Sequence, residues 1–266
     1  PSPSTIDLLT RTFAVAPIMN PDGSQGINLI ADYGQGGTFD QGTRISDDGN
    51  VVFQLPKTSF ASAEYAAIKA SSFRANRKGY FHYALMTHSF GFGTAIEATA
   101  AGNAELPGND SIITMHCDTN PGRTAAVIMH ELGHNLGLRH GGNENDNWKP
   151  NYNSVMNYLF QTTGVDTNCD AIGDGVLNYS SGTRPTIDER AVLDQNGVCG
   201  PGHPIDFNNA NGIETTPYPW NLNPKDDPEV GPPKYSVLTD HNDWQVVKQN
   251  LGTQLNGSGA PAPAMP

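Results

Sequence analysis

The chain has 266 residues, which is enough for one large domain or two small lobes with a real hydrophobic core. Its formal net charge is −12, so we expect neither nucleic acid nor an anionic membrane surface as a partner. The 29 glycines and 20 prolines predict much irregular backbone, and no apolar run approaches the length of a membrane span.

The first half of the chain is predicted to alternate helices and strands. A helix is expected over 4–16, because Ser2 or Ser4 can cap it and Leu9 and Phe13 share one face. The elements predicted after it are, in chain order, a strand at 27–31, an Ala-rich helix at 59–74, a strand at 80–90, an edge strand at 94–101 or just after it, a strand at 111–115 and a third helix at 121–136. This order predicts a mostly parallel sheet with one antiparallel edge.

The second half of the chain is predicted to be less regular. Residues 141–185 are mostly loop by composition. A capping-box pattern opens a predicted helix over 186–196, and Asn242 can cap a final helix over about 243–251. The Gly-, Pro- and Ala-rich residues 256–266 are typical of a disordered, linker-like tail.

The segment between positions 130 and 140 carries the strongest chemical pattern, HExxHxxGxxH. His130 and His134 are four residues apart and therefore lie on one face of a helix, where two imidazoles can bind one Zn²⁺. Gly137 can take a positive φ and end the helix, so that His140 can reach the same ion. Three nitrogen ligands leave a fourth position for water, which indicates a catalytic zinc site.

Glu131 stands beside the first histidine, where it can act as general base toward that water. The alternative is a buried amphipathic helix that carries histidines by coincidence. That alternative leaves Glu131, Gly137 and His140 unexplained together.

This pattern, followed by Ser154-Val155-Met156-Asn157-Tyr158, resembles the metzincin clan of zinc endopeptidases. The resemblance implies an α+β fold with a twisted mixed β-sheet, backing helices and the zinc helix in an N-terminal lobe of about 1–140. It implies an irregular C-terminal lobe of about 141–255 that holds a methionine-bearing turn and the terminal helix. One catalytic domain would then span 1–255.

The resemblance also implies roles for two residues of the turn. Met156 would form a packing floor beneath the metal. Tyr158 stands where astacin-like and serralysin-like enzymes have a tyrosine that serves as an additional zinc ligand or transition-state donor. Gly141 follows the third histidine where the best-known families have other residues, so the clan is assigned and the family is not. A secreted, monomeric enzyme is implied.

A loop further along carries alternating oxygen-bearing side chains at Asp166, Asn168, Asp170 and Asp174. Such spacing suits Ca²⁺, which prefers six to eight hard oxygen ligands. The pattern lacks the glycine and the bidentate glutamate of an EF-hand, so a solvated loop of Asx-turns is the alternative. The run 206–212 is a weaker calcium candidate of the same kind.

The three cysteines leave two arrangements open. In the first, Cys169 and Cys199 form a disulfide and Cys117 is free and buried. In the second, all three are reduced thiols.

The sequence therefore predicts a secreted zinc endopeptidase that acts on protein or peptide substrates. The alternative function is a calcium-binding adhesion or binding module with an inactive zinc site. The intact Glu131 argues against that alternative, since a decayed protease would be free to lose it.

Overall fold

The computed structural model describes residues 1–45, 63–92, 95–97, 101–210, 212–226 and 234–254. Proximity of Cα atoms divides the chain into two compact units, one of residues 1–137 and 247–266 and one of residues 138–246. In the described ranges, no helix has both the length and the apolar character needed to cross a bilayer. The predicted tail, 256–266, lies outside the described residues.

Three helices of the first unit match the predicted ones: α1 (Pro3–Ala14), α2 (Ala63–Ser72) and α3 (Pro121–Asn135). The Ser2 hydroxyl caps α1 by accepting a hydrogen bond from the Thr5 amide at 3.2 Å. Leu9 and Phe13 are each 2% exposed, and α1 packs against α3 through this face. Burial of such an apolar face is the main source of stability for a short helix.

In its described residues, the first unit has two small sheets built from five strands: β1 (Tyr83–Thr87), β2 (Phe90–Phe92), β3 (Ala95–Glu97), β4 (Gly102–Ala104) and β5 (Asp110–Thr114). The larger sheet has the order β1-β5-β4, in which β5 runs parallel to β1 and antiparallel to β4. All five residues of β5 are buried, as expected for a central strand. The mixed sheet with an antiparallel edge is therefore confirmed, but among the described residues it is not mostly parallel, because one of its two strand pairings is parallel and the other is antiparallel.

Two strand predictions in this unit were wrong. Residues 27–31 form no strand, because the Ile27 amide instead donates to the carbonyl of Phe13 at the end of α1, at 2.8 Å. The single strand expected over 80–90 is two shorter ones, since the chain leaves the larger sheet after Thr87 and β2 pairs with β3.

The second unit has little regular secondary structure in the described residues. A two-stranded antiparallel pair, β6 (Ile187–Asp188) with β7 (Val237–Leu238), is followed by the start of α4 (Asp243–Gln254). The Asn242 carboxamide oxygen accepts from the Gln245 amide at 3.0 Å, so the predicted cap of the final helix is confirmed.

The helix predicted over 186–196 was wrong. Only Asp194–Asn196 is helical, as one 3-10 turn. Glu189, the acidic member of the capping-box pattern, is fully buried and accepts from the amides of Leu222 and Ser236 at 2.6 and 2.8 Å. Its carboxylate is thus used to hold distant backbone and is not available to start a helix.

The disulfide joins Cys169 to Cys199, as predicted, and closes a 30-residue separation. Cys117 is free, but it is exposed and not buried as expected. Its φ of +70° and that of His116, +44°, carry the chain through a left-handed turn after β5, which places the thiol at the surface.

Candidate metal centre

Helix α3 fixes the first two histidines. The Asn120 carboxamide oxygen caps the helix by accepting from the Arg123 amide at 3.0 Å, and Pro121 occupies the first turn. His130 is 1% exposed and His134 is 7% exposed, so both imidazoles lie on the buried side of the helix.

The chain turns sharply after this helix. The Gly137 amide donates to the His134 carbonyl at 2.8 Å, and Gly137 has a φ of +93°, which a residue with a Cβ rarely adopts. Arg139 and Gly142 then exchange backbone hydrogen bonds of 2.7 and 3.0 Å. His140 therefore stands at the corner of a tight turn.

His130, His134 and His140 each offer one ring nitrogen, and these nitrogens all lie within 4.8 Å of one another. The Nε2 atoms of His130 and His134 are 3.1 Å apart. Zn²⁺ binds imidazole nitrogens at about 2.0–2.1 Å, so two nitrogens of one tetrahedral site lie about 3.3 Å apart. The arrangement fits a single zinc ion held by three imidazoles.

The electrostatic environment favours metal binding as well. Burial lowers the pKa of His140 to about 4, which keeps its imidazole neutral near pH 7. A neutral ring nitrogen is the form that binds a metal.

Glu131 is 3% exposed, and burial raises the pKa of its carboxyl to about 8. Its Oε2 atom is buried without a hydrogen-bond partner among the described residues. The carboxylate lies against Gly102 of the edge strand β4, where an added Cβ would come within 2.4 Å of Oε1. Glu131 directly follows His130 in α3, so a buried carboxyl group with one unbonded oxygen adjoins the first histidine of the cluster in sequence.

Tyr158 lies beside the third histidine, with its ring centroid 4.4 Å from that of His140. It is 40% exposed. The Tyr158 amide donates to the carboxamide oxygen of Asn147 at 2.9 Å, and the same oxygen accepts from the Trp148 amide at 2.8 Å. Met156 is fully buried.

The residues of the expected calcium loop are engaged with one another and with the protein. The Asp166 carboxylate accepts from the amides of Asn168, Cys169 and Ala171 at 2.7–3.0 Å and forms an ion pair of 2.8 Å with Arg184. The charge of Asp166 is thus paired with the Arg184 guanidinium.

The other oxygen-bearing side chains of that loop accept hydrogen bonds from nearby residues, as expected for a loop of Asx-turns. Asp174 accepts from the amide and hydroxyl of Thr167, and Asn168 and Asp170 bond to backbone two residues ahead. Among the described residues, the carboxylates of Asp166, Asp170 and Asp174 do not converge as metal ligands do. The structure does not support calcium at this loop.

A separate acidic group gathers Asp194, Asp206 and Glu214, whose carboxylate oxygens lie within 4.8 Å of one another. Asp194 is fully buried and accepts from the Tyr218 hydroxyl at 2.5 Å. A hydrogen bond with Asp194 raises the pKa of the Glu214 carboxyl. Asp206, the first residue of the weaker calcium candidate 206–212, belongs to this group, and its carboxylate accepts from the amides of Ala210 and Gly212 at 3.3 and 3.2 Å.

Two residues of the site were missed by sequence reasoning. Gly102 allows the Glu131 carboxylate to lie against a strand, and a glycine inside a strand is a recognised sign of such close approach. Asn147 fixes the backbone of Tyr158 from eleven residues away. No local pattern marks a side chain that bonds to distant backbone, so only the structure reveals this role.

The model of the gametolysin peptidase M11 family matches residues 43–175, half of the 266-residue chain, and this span includes the three histidines, Glu131 and Tyr158. Neither the curated proteins nor the solved structures contain a match to the chain. The chain belongs to the gametolysin peptidase M11 family, a family of metallopeptidases.

Proposed function

We propose that the protein is a secreted, monomeric zinc endopeptidase of the metzincin type, with one catalytic domain over 1–255. The convergence of His130, His134 and His140 beside the buried Glu131 carries this proposal. Membership in a family of metallopeptidases supports the proposal, and the Cys169–Cys199 disulfide is typical of an extracellular protein.

In the proposed mechanism, the three histidines would hold Zn²⁺ through neutral imidazoles. When bound there, zinc lowers the pKa of a water molecule to about 7 and polarises the carbonyl of the scissile bond. Glu131 accepts the proton from the attacking water at its carboxylate and then delivers it to the leaving amine. Burial raises the pKa of this carboxyl, which favours retention of the transferred proton between the two steps.

Tyr158 would assist at the same step. Its hydroxyl would donate a hydrogen bond to the developing oxyanion, and its ring lies 4.4 Å from that of His140, which supports this role. Met156, which is fully buried, would serve as a packing floor and not as a ligand. Calcium is not required, since the oxygen atoms of the 166–174 loop already accept hydrogen bonds within the protein.

The test compares wild-type protein and Glu131→Ala for casein cleavage and for bound zinc. We expect one zinc per chain in both proteins, with cleavage only in the wild type and only without a chelator. Zinc-loaded wild-type protein that cleaves neither casein nor a mixed peptide pool would overturn the proposal. That result would favour the alternative of a binding module with an inactive zinc site.

A further inference from the structure

Lys149 is a lysine whose side chain has no exposed surface. Its ammonium donates to the carbonyl of Gly141 at 3.0 Å and to Glu144 Oε1 at 2.7 Å, and it lies 5.2 Å from the centroid of the Tyr152 ring. Burying an ammonium is costly even when it is paired, and an apolar side chain of similar size often serves stability as well. The contacts of Lys149 therefore point to a positional role.

The first contact holds the turn that carries the third histidine. Gly141 follows His140 directly, and both lie between the paired residues Arg139 and Gly142. The hydrogen bond from Lys149 fixes the carbonyl of Gly141 and with it the orientation of the next peptide plane. On the other side, Gly142 is packed so closely on His241 that an added Cβ would come within 2.4 Å of the His241 Cβ.

The backbone of Lys149 is tied to the segment 154–158. Its carbonyl accepts from the Asn157 carboxamide at 2.6 Å, and the same carboxamide nitrogen donates to the Tyr152 carbonyl at 2.9 Å. Asn157 lies between Met156 and Tyr158 and is fully buried. Lys149 thus joins the two segments that supply His140 and Tyr158, with its backbone bonded to one and its ammonium bonded to the other.

We propose that Lys149 is a positioning residue for the metal centre, whose ammonium fixes the His140 turn relative to the 154–158 segment. This inference rests on the proposed function, because it assumes that His140 is a zinc ligand. Without the ammonium, the Gly141 carbonyl loses its buried donor and the turn gains freedom. His140 then presents its nitrogen to zinc less often. Residues that orient a metal ligand typically change metal affinity by about 10- to 100-fold when they are removed.

The experiment measures zinc affinity by competition with a chelator, and the absorption spectrum of the Co²⁺-substituted protein, in Lys149→Met and in wild type. The control is Lys78→Met, which removes an exposed lysine. We expect zinc binding about 10- to 100-fold weaker and an altered Co²⁺ spectrum in Lys149→Met alone, at temperatures where every protein is folded.

A second variant keeps the inference testable if Lys149→Met does not fold. Glu144→Ala removes the charged partner of Lys149 from a side chain that is 41% exposed, and we expect zinc binding several-fold weaker. A folded Lys149→Met protein with wild-type zinc affinity and Co²⁺ spectrum overturns the inference, as does wild-type affinity in Glu144→Ala if Lys149→Met is unfolded. Wild-type protein that binds zinc without cleaving peptides overturns the proposed function instead.

Discussion

Helix α3 and the loop region that follows it, residues 141–210, are ordered by different means. In α3, ten of the fifteen residues are buried, and backbone hydrogen bonds of the helix satisfy the polar main chain. In the loop region, the only regular elements are β6 and one 3-10 turn. Its main chain must find other partners.

Those partners are buried polar side chains. The Asn151 carboxamide, for example, donates to the carbonyls of Pro185 and Leu238 at 2.9 and 3.0 Å. Several fully or nearly buried residues act in the same way: Asn147, Lys149, Asn157, Asp166 and Glu189. A helix can thus be recognised from local pattern, whereas such a loop region is specified by contacts between residues far apart in sequence.

The largest expected effect comes from the helix. In His134→Ala only two imidazoles remain, and two hold Zn²⁺ poorly. We expect zinc content near zero and cleavage at background, with the helix intact because alanine favours it. Metal analysis and a peptide assay check this, with the exposed His203→Ala as control. Full activity in zinc-free His134→Ala would contradict the assignment.

That prediction uses only residues that the sequence made visible. His130, Glu131, His134, Gly137 and His140 occupy fixed places in one short motif, because helical geometry brings residues four apart to one face. The order of helices and the mixed sheet also followed from local pattern. The supporting residues did not, since their spacing carries no period.

The second largest effect is expected from Arg184→Met, which tests how much a buried ion pair contributes to the stability of the loop region. Arg184 is 8% exposed and bonds to Asp166, which has no exposed side-chain surface, as well as to the Pro150 carbonyl at 3.2 Å. Arg184→Met leaves the carboxylate without its charged partner and is expected to cost about 3–5 kcal/mol of unfolding free energy. Denaturant titration measures this loss.

The matched control for this change is Arg190→Met. Arg190 pairs with Asp188 where both side chains are about half exposed, so we expect a change below about 1 kcal/mol. Equal effects of the two substitutions would show that the loop region does not rely on the buried pair.

The same ion pair predicts a dependence on acid. Burial acts to raise the pKa of the Asp166 carboxyl, but Arg184 and the amides of Ala171 and Asn168 outweigh it and lower that pKa. The pair's stabilisation is therefore complete above the unfolded pKa, about 3.9, and is lost as pH falls through the lower folded value. Asp166→Asn should remove this part of the acid sensitivity. If the stability of wild type and of Asp166→Asn fell equally as the pH was lowered, the result would contradict this prediction.

Tyr158→Phe tests whether the loop region contributes a hydrogen-bond donor to catalysis or only packing. Phenylalanine keeps the ring contact with His140 and removes the hydroxyl donor. We expect kcat to fall by roughly 10- to 1000-fold with little change in KM, because the bond forms only in the transition state. The control is Tyr80→Phe, at a residue that is 76% exposed. An unchanged kcat would assign Tyr158 to packing alone.

Two errors of the sequence predictions fall in the loop region and share one cause. The capping-box pattern predicted a helix over 186–196, and the alternating acids predicted calcium over 166–174. In both places the carboxylates accept hydrogen bonds from backbone amides instead: Glu189 from distant ones, Asp166 and Asp170 from nearby ones. Composition shows that oxygen atoms are present, but it does not show which donors reach them.

The smallest expected effect is that of Asp170→Ala, which tests whether this carboxylate binds calcium or only accepts hydrogen bonds. Asp170 is exposed, and its oxygens accept only from the Ile172 amide at 2.7 Å and the Asn168 carboxamide at 3.2 Å among the described hydrogen bonds. Asp170→Ala should change the unfolding free energy by less than about 0.5 kcal/mol, as at most surface sites.

Millimolar Ca²⁺ should leave the melting temperature of both the wild type and Asp170→Ala unchanged. A cation bound here would add about 2.7 kcal/mol at a hundredfold excess over its Kd. A rise of several degrees with Ca²⁺, lost in Asp170→Ala, would mean that the loop rearranges around an ion. An unchanged melting curve would mean that internal hydrogen bonds suffice to order it.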